Sequence, residues 1–172
     1  MPGMASAHRT DEMTLAATLQ AELVLRAQKV ATAESLTGGG LGEVLSAAPG
    51  ASSTYLGGVI SYSTSVKQRV LGVSEETVAQ HGVVSAECAA EMAVGVRALL
   101  GADYAVSTTG VAGPTAQEGK PVGLVFVGVA GPDGVTTRRL DLDGERGQIR
   151  EKAVREALEA LLTAVSDVQR AV

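Results

Sequence analysis

Three short apolar runs in this chain each lead into a polar turn: Val30–Ala33 before Ser35, Tyr55–Tyr62 before Ser63, and Tyr104–Thr108 before Thr109-Gly110. Segments with helical spacing separate them. That order constrains the fold more than any bulk property does, because strands alternating with helices form a layered sheet with helices on both faces. In such a sheet the ligand crevice lies beyond the carboxyl ends of the strands, so the three turns are expected to converge on one site.

Periodicity supplies the remaining elements. From about Asp11 to Gln28, Leu15, Leu19 and Leu23 recur every four residues between charges, the pattern of an amphipathic helix. A helix beginning after Gly38-Gly39-Gly40 continues through Gly42–Ala47 and is stopped by Pro49-Gly50. Ser63 is placed to cap a short helix, and helical segments follow around Ser74–Gln80 and Ser85–Leu100. In the last of these Ala89, Met92, Val96 and Leu99 fit one buried face. Val122–Ala130 and Val135–Leu142 read as a hairpin across Gly131-Pro132-Asp133-Gly134. A final helix from about Gln148 to Val165 sets Ile149, Ala153, Val154, Ala157, Leu158, Leu161, Leu162 and Val165 on one side and charges on the other. The expected architecture is an α/β fold, a three-layer α/β/α sandwich with a mixed sheet and a C-terminal amphipathic helix. Residues 1 to about 10 show no period and read as a disordered tail, leaving 11–172 as a single domain.

Composition narrows the function. At 172 residues and 45% hydrophobic content the chain can bury a sizeable aliphatic core. It has no Trp, one Phe and a net charge of -5, which argues against stacking platforms or a phosphate-tracking surface and so against nucleic acid as partner. No apolar stretch approaches the ~20 residues that span a bilayer, and no leader pattern opens the chain, so a cytoplasmic location without membrane contact is expected. The single Cys88 sits in an Ala-rich helical pattern and reads as core packing. No His/Cys cluster at ligand spacing and no phosphate-loop motif is present, so neither a metal nor a cofactor is expected.

The chemistry centres on Ala33-Glu34-Ser35-Leu36-Thr37-Gly38-Gly39-Gly40. A serine on a strand-to-helix turn can be a nucleophile, with N–H groups of the opening helix available for an anion or oxyanion; the same serine can equally be an ordinary cap. A nucleophile needs a base, and the neighbouring turn offers Tyr62 and Lys67. Each of these has a plainer alternative, as an edge-strand aromatic and an exposed helix lysine. His8 lies in the tail and His81 at a helix end, so a Ser-His-Asp triad is disfavoured, while Ser-Lys and Ser-Tyr-Lys arrangements both stay open. Arg146 and Arg150 open the last helix, where the helix dipole disfavours cations, so they want an anionic substrate group or some other partner.

Ala33-Glu34-Ser35-x-Thr37-Gly38-Gly39, Tyr62-Ser63-x-x-x-Lys67, Thr109-Gly110-Val111-Ala112-Gly113-Pro114 with Lys120-Pro121-Val122-Gly123, and Gly144-x-Arg146-x-x-x-Arg150 occur in this order. Together they resemble the CinA C-terminal domain, the nicotinamide-nucleotide amidohydrolase (PncC) family, over about residues 13–165. The resemblance implies a commonly homodimeric enzyme that hydrolyses the carboxamide of nicotinamide mononucleotide to nicotinic acid mononucleotide and ammonia. It implies Ser35 as nucleophile, with Tyr62 and Lys67 as base and proton relay. It implies a substrate-binding set of Thr37, Gly38, Gly39, Thr109, Gly110, Gly113, Arg146 and Arg150, without deciding which arginine touches substrate. Two segments depart from the family pattern. Leu36 stands where relatives usually carry Cys, a packing change; Thr115-Ala116-Gln117-Glu118-Gly119 replaces a Gly-Gly-containing loop, which predicts a stiffer segment. Competing readings are a non-catalytic ligand-binding module, as for domains associated with competence and recombination, and an amidase for another small amide.

Overall fold

The computed structural model describes residues 3–167, with side chains from Arg9 onward. Its elements are α1 (Gly3–Leu25), β1 (Val30–Glu34), α2 (Gly40–Ala47), α3 (Ala51–Thr54), β2 (Tyr55–Ile60), α4 (Thr64–Leu71), α5 (Glu75–His81), α6 (Ala86–Leu100), β3 (Tyr104–Gly110), β4 (Leu124–Gly131), β5 (Gly134–Asp141) and α7 (Arg146–Asp167). The five strands form one mixed sheet in the order β2-β1-β3-β4-β5. β1 is parallel to both β2 and β3, and β4 runs antiparallel to β3 and β5.

Alternation along the central strands builds two cores. Val30 of β1 and Tyr104 and Val106 of β3 point into one, with Leu19 and Leu23 of α1, Leu41 and Leu45 of α2, and Leu158 and Leu161 of α7. Ala31 and Ala33 of β1 and Ala105 of β3 point into the other, with Leu71, Met92 and Val96. Every residue of β1 is buried, as expected for a strand covered on both faces. The result is the α/β/α sandwich, with α1, α2 and α7 on one face and α4 and α6 on the other. Cys88 is a free, buried thiol of the second core. No helix among the described residues is long and apolar enough to cross a membrane.

Several boundaries differ from the sequence expectation. The tail assigned to residues 1–10 falls partly outside the described residues; from Gly3 the backbone is already in α1, in keeping with a stretch that lacks Gly and Pro after that point and is rich in helix formers. β2 ends at Ile60 rather than Tyr62, because Ser61 to Ser63 make the turn into α4, whose first amides are capped by Ser63. The hairpin's first strand starts at Leu124, since Gly123 at φ 91 bends the chain and bonds to Val111 and Leu142. Leu99, expected on the buried face of α6, is 52% exposed; Leu100 packs against the core in its place.

Candidate functional site

The parallel register brings the carboxyl ends of β1, β2 and β3 together, with Glu34 opposite Ile60 on one side and Thr108 on the other. The ladder runs one step further, as Ser35 N–H donates to the Thr108 carbonyl (3.0 Å) and Ser61 N–H to the Glu34 carbonyl (2.8 Å). The Glu34–Ser35 peptide unit is therefore held on both sides by backbone, at the lip of the sheet. Beyond that lip lies a cavity of about 320 Å³, lined among others by Ser35, Tyr62, Lys67, Thr109, Gly113 and Arg146. A larger groove of about 640 Å³ runs along α7, but its lining is mostly solvated Glu, Lys and Arg side chains with no nucleophile, so the chemistry selects the smaller one.

Lys67 is the centre of the site. It stands one turn before Leu71 on the inward face of α4, which carries it into the protein, and it is 1% exposed. Its Nζ donates to Ser35 Oγ at 2.9 Å, to the Ser61 carbonyl at 2.7 Å and to the Tyr62 carbonyl at 3.4 Å. Burial pushes its pKa below the ordinary lysine value, against smaller opposing effects of Cys88 and Glu118. The Cys88 thiol is itself pushed up to about 11, chiefly by burial, so it carries no charge near neutral pH and Glu118 is the anion that Lys67 senses. Geometry gives the amine a defined job. A neutral –NH₂ has two hydrogens and one lone pair; with the hydrogens on the carbonyls of Ser61 and Tyr62, the lone pair faces the Ser35 hydroxyl.

The turn itself is organised by a residue that sequence reasoning passed over. Glu34 is 2% exposed, and its carboxylate accepts from the backbone N–H groups of Gly39 (3.0 Å), Leu41 (3.1 Å) and Gly42 (2.8 Å). Gly38 and Gly39, at φ 59 and 103, turn the chain back so that these amides meet it. The N-terminus of α2, expected to hold a substrate anion or oxyanion, is thus already filled by the protein's own carboxylate. An acidic residue five positions before the second glycine of the turn was the available signal. Glu34→Gln would set an amide N–H₂ against backbone donors, and Glu34→Ala would leave them without an acceptor. Either is expected to destabilise the fold by about 2–4 kcal/mol in chemical denaturation.

Other expected site residues divide. Ser35, Tyr62, Lys67, Thr109, Gly110, Gly113 and Arg146 line the cavity; Thr37, Gly38, Gly39 and Arg150 do not. Thr37 Oγ1 is hydrogen-bonded to Thr108 Oγ1 (2.7 Å), and Arg150 donates to the carbonyls of Leu36 (3.0 Å) and Thr37 (3.1 Å), bracing the turn from behind. Of the two arginines, Arg146 is the one in the cavity. Its guanidinium donates to the Gly113 carbonyl and to the Tyr62 hydroxyl (3.2 Å), both neutral, so its charge has no counter-ion in that cavity wall. Tyr62 is 65% exposed, and it is its carbonyl, not its phenol, that reaches Lys67. The phenol stands on Arg146 at the mouth, away from the relay position the resemblance implied. Thr109 is 1% exposed and donates its hydroxyl proton to the Val83 carbonyl (2.6 Å), which leaves its oxygen as an acceptor. His81 ends α5 beside Glu87 and is not among the residues that line the cavity.

Comparison with known proteins agrees with this arrangement of elements. A CinA-like protein of Frankia casuarinae is 53% identical over 137 residues, 80% of this chain and 32% of the relative. A CinA-like protein of Thermosynechococcus vestitus is 48% identical over 155 residues, 88% of this chain and 37% of the relative. The chain thus spans about a third of the length of these curated relatives. A solved CinA-superfamily protein from Klebsiella pneumoniae superposes with a TM-score of 0.87 at 35% identity, covering 90% of this chain and 98% of that one. Another from Enterobacter cloacae gives 0.88 at 34% identity, covering 90% and 92%. With the family model for the CinA C-terminal domain matching residues 12–165, the chain belongs to that family.

Proposed function

We propose that this protein hydrolyses the carboxamide of nicotinamide mononucleotide, giving nicotinic acid mononucleotide and ammonia through an ester on Ser35. The observation that carries the reading is the 2.9 Å contact between Ser35 Oγ and the buried Nζ of Lys67, in a cavity lined also by the Arg146 guanidinium and, among the described residues, by no carboxylate. Its volume lies in the range of small-ligand sites, roughly 300–1,000 Å³.

The steps follow from those atoms. Neutral Lys67 takes the Ser35 hydroxyl proton as Oγ bonds to the carboxamide carbon, and the carbonyl oxygen becomes an oxyanion. With the α2 amides held by Glu34, the backbone N–H of Leu36, beside Ser35 in the cavity wall, is the donor assigned to that oxyanion. The Lys67 ammonium then protonates the departing nitrogen, the C–N bond breaks, and ammonia leaves. Water gives a proton back to Lys67 while attacking the ester, and Lys67 returns it to Ser35 as the acid departs. Thr109 Oγ1, whose proton is committed to Val83, is suited to accept from the carboxamide N–H₂.

Arg146 is assigned the substrate's phosphate, since a bound anion would supply the counter-charge that Gly113 and Tyr62 do not. Arg146→Ala is accordingly expected to raise KM for the mononucleotide by roughly 10- to 100-fold, with a smaller change in kcat. The same assignment predicts that nicotinamide riboside, which lacks the phosphate, is a poor substrate for wild type and is hydrolysed about equally by Arg146→Ala. Equal turnover of riboside and mononucleotide by wild type would instead favour an amidase for another small amide.

A further inference from the structure

The segment 111–123 supplies much of the cavity wall, with Val111, Ala112, Thr115, Ala116 and Gln117 all facing it. Its base is held by strand-end bonds, Val111 N–H to the Leu124 carbonyl and Gly123 N–H to the Val111 carbonyl. Its tip is a two-residue turn between Gln117 and Lys120, paired in both directions, with Glu118 at φ 53 and Gly119 at φ 69. A left-handed Gly is unremarkable there, but a left-handed Glu is disfavoured and calls for a reason.

The Glu118 side chain supplies it. Its carboxylate crosses to the α5–α6 connection and accepts from the N–H groups of Val83 (3.2 Å) and Val84 (3.3 Å). Lys120 Nζ joins the same connection, donating to the carbonyls of His81 (2.6 Å) and Val84. Gly82 makes room: a Cβ there would lie 2.4 Å from Glu118 Oε2, and its φ of 75 disfavours any other residue. Val83 and Val84 also line the cavity, and Val83 is the residue that holds the Thr109 hydroxyl. Two walls that are separate in sequence are therefore tied at four backbone atoms on 81–84 by one acid and one base.

We propose that Glu118 and Lys120 are positioning residues that strap the 115–119 loop onto the 81–84 connection, so that the cavity is preformed around the substrate flanking the carboxamide. This rests on the amidohydrolase reading and deepens it: the strap acts on binding, while bond breaking stays with Ser35 and Lys67. The stiffness expected from the loss of glycines in this loop is thereby given an anchor.

The test uses Glu118→Ala and Lys120→Met in the full chain, each also combined with Ser35→Ala. In active protein, each strap variant is expected to raise KM for nicotinamide mononucleotide roughly tenfold with kcat within about threefold of wild type, the signature of lost preorganisation. In the Ser35→Ala background, calorimetry should show the same roughly tenfold weakening of mononucleotide binding. Amide exchange at Val83 and Val84 should quicken in Glu118→Ala. Unchanged KM and binding in both variants would overturn the strap. So would an effect confined to Glu118→Ala, which would reduce the residue to a charge near Lys67. A fall in kcat alone would overturn it equally. If Ser35→Ala with an intact strap binds no mononucleotide, the amidohydrolase reading itself fails, and that outcome is seen before any strap variant is compared.

Discussion

Lys67→Met is expected to lose amide hydrolysis by roughly 10²–10⁴-fold while remaining folded, because it removes the base placed on Ser35. Methionine keeps the length and the apolar stem of a side chain that is 1% exposed, so the packing beneath α4 survives. Stability is expected to hold or rise, since a buried amine is exchanged for an apolar group and the carbonyls of Ser61 and Tyr62 lose donors but no charge is stranded. The pH dependence fixes the sign. Burial lowers the folded pKa of Lys67 below the usual 10.5, and the neutral amine is the active form. The kcat/KM of wild type should therefore rise with pH and level off at an apparent pKa below 10.5. Stability follows the same linkage: the unfolded chain binds this proton more readily, so the cost of burying the amine is full below the folded pKa and fades as pH rises toward the unfolded value. Wild type should gain stability relative to Lys67→Met over that window. A kcat/KM that falls with rising pH through this range would remove Lys67 from the role of base.

Ser35→Ala is the second large effect, a loss of at least about 10³-fold in turnover with little loss of stability. The backbone bond from Ser35 N–H to the Thr108 carbonyl does not depend on the side chain, and Lys67 Nζ keeps two carbonyl partners when the hydroxyl is gone. The Glu34 carboxylate that shapes the turn is also untouched. This variant should still bind the mononucleotide with near wild-type affinity, because Arg146, Thr109 and the 111–123 wall remain in place. Calorimetric titration reads that separation of binding from chemistry.

The layered sheet was legible because burial on both faces leaves its mark on β1 and β3 as continuous short runs, and on α1 and α7 as leucines every three or four residues. The convergence of three strand ends was legible for the same reason, since it follows from element order alone. Side-chain direction within the turns was not. Thr37, Gly38, Gly39 and Arg150 carry the right chemistry for a binding site, but the positive φ of the two glycines rotates that stretch away from the cavity and toward Glu34. Tyr62 and Lys67 lie five apart, yet only Lys67 points inward, because α4 turns its Lys67-Leu71 face to the core while Tyr62 precedes the helix at the mouth. The Glu118 contact with Val83 and Val84 spans some 35 positions without any period, so only the folded chain reveals it.

The serine amidohydrolase mechanism stands or falls on ammonia release from nicotinamide mononucleotide, followed side by side for purified wild type and Ser35→Ala with a chelator present. Wild type is expected to give stoichiometric ammonia and nicotinic acid mononucleotide, and Ser35→Ala none above background. Equal release by the two proteins would contradict the serine mechanism, and silence from a folded wild type would contradict the assigned substrate.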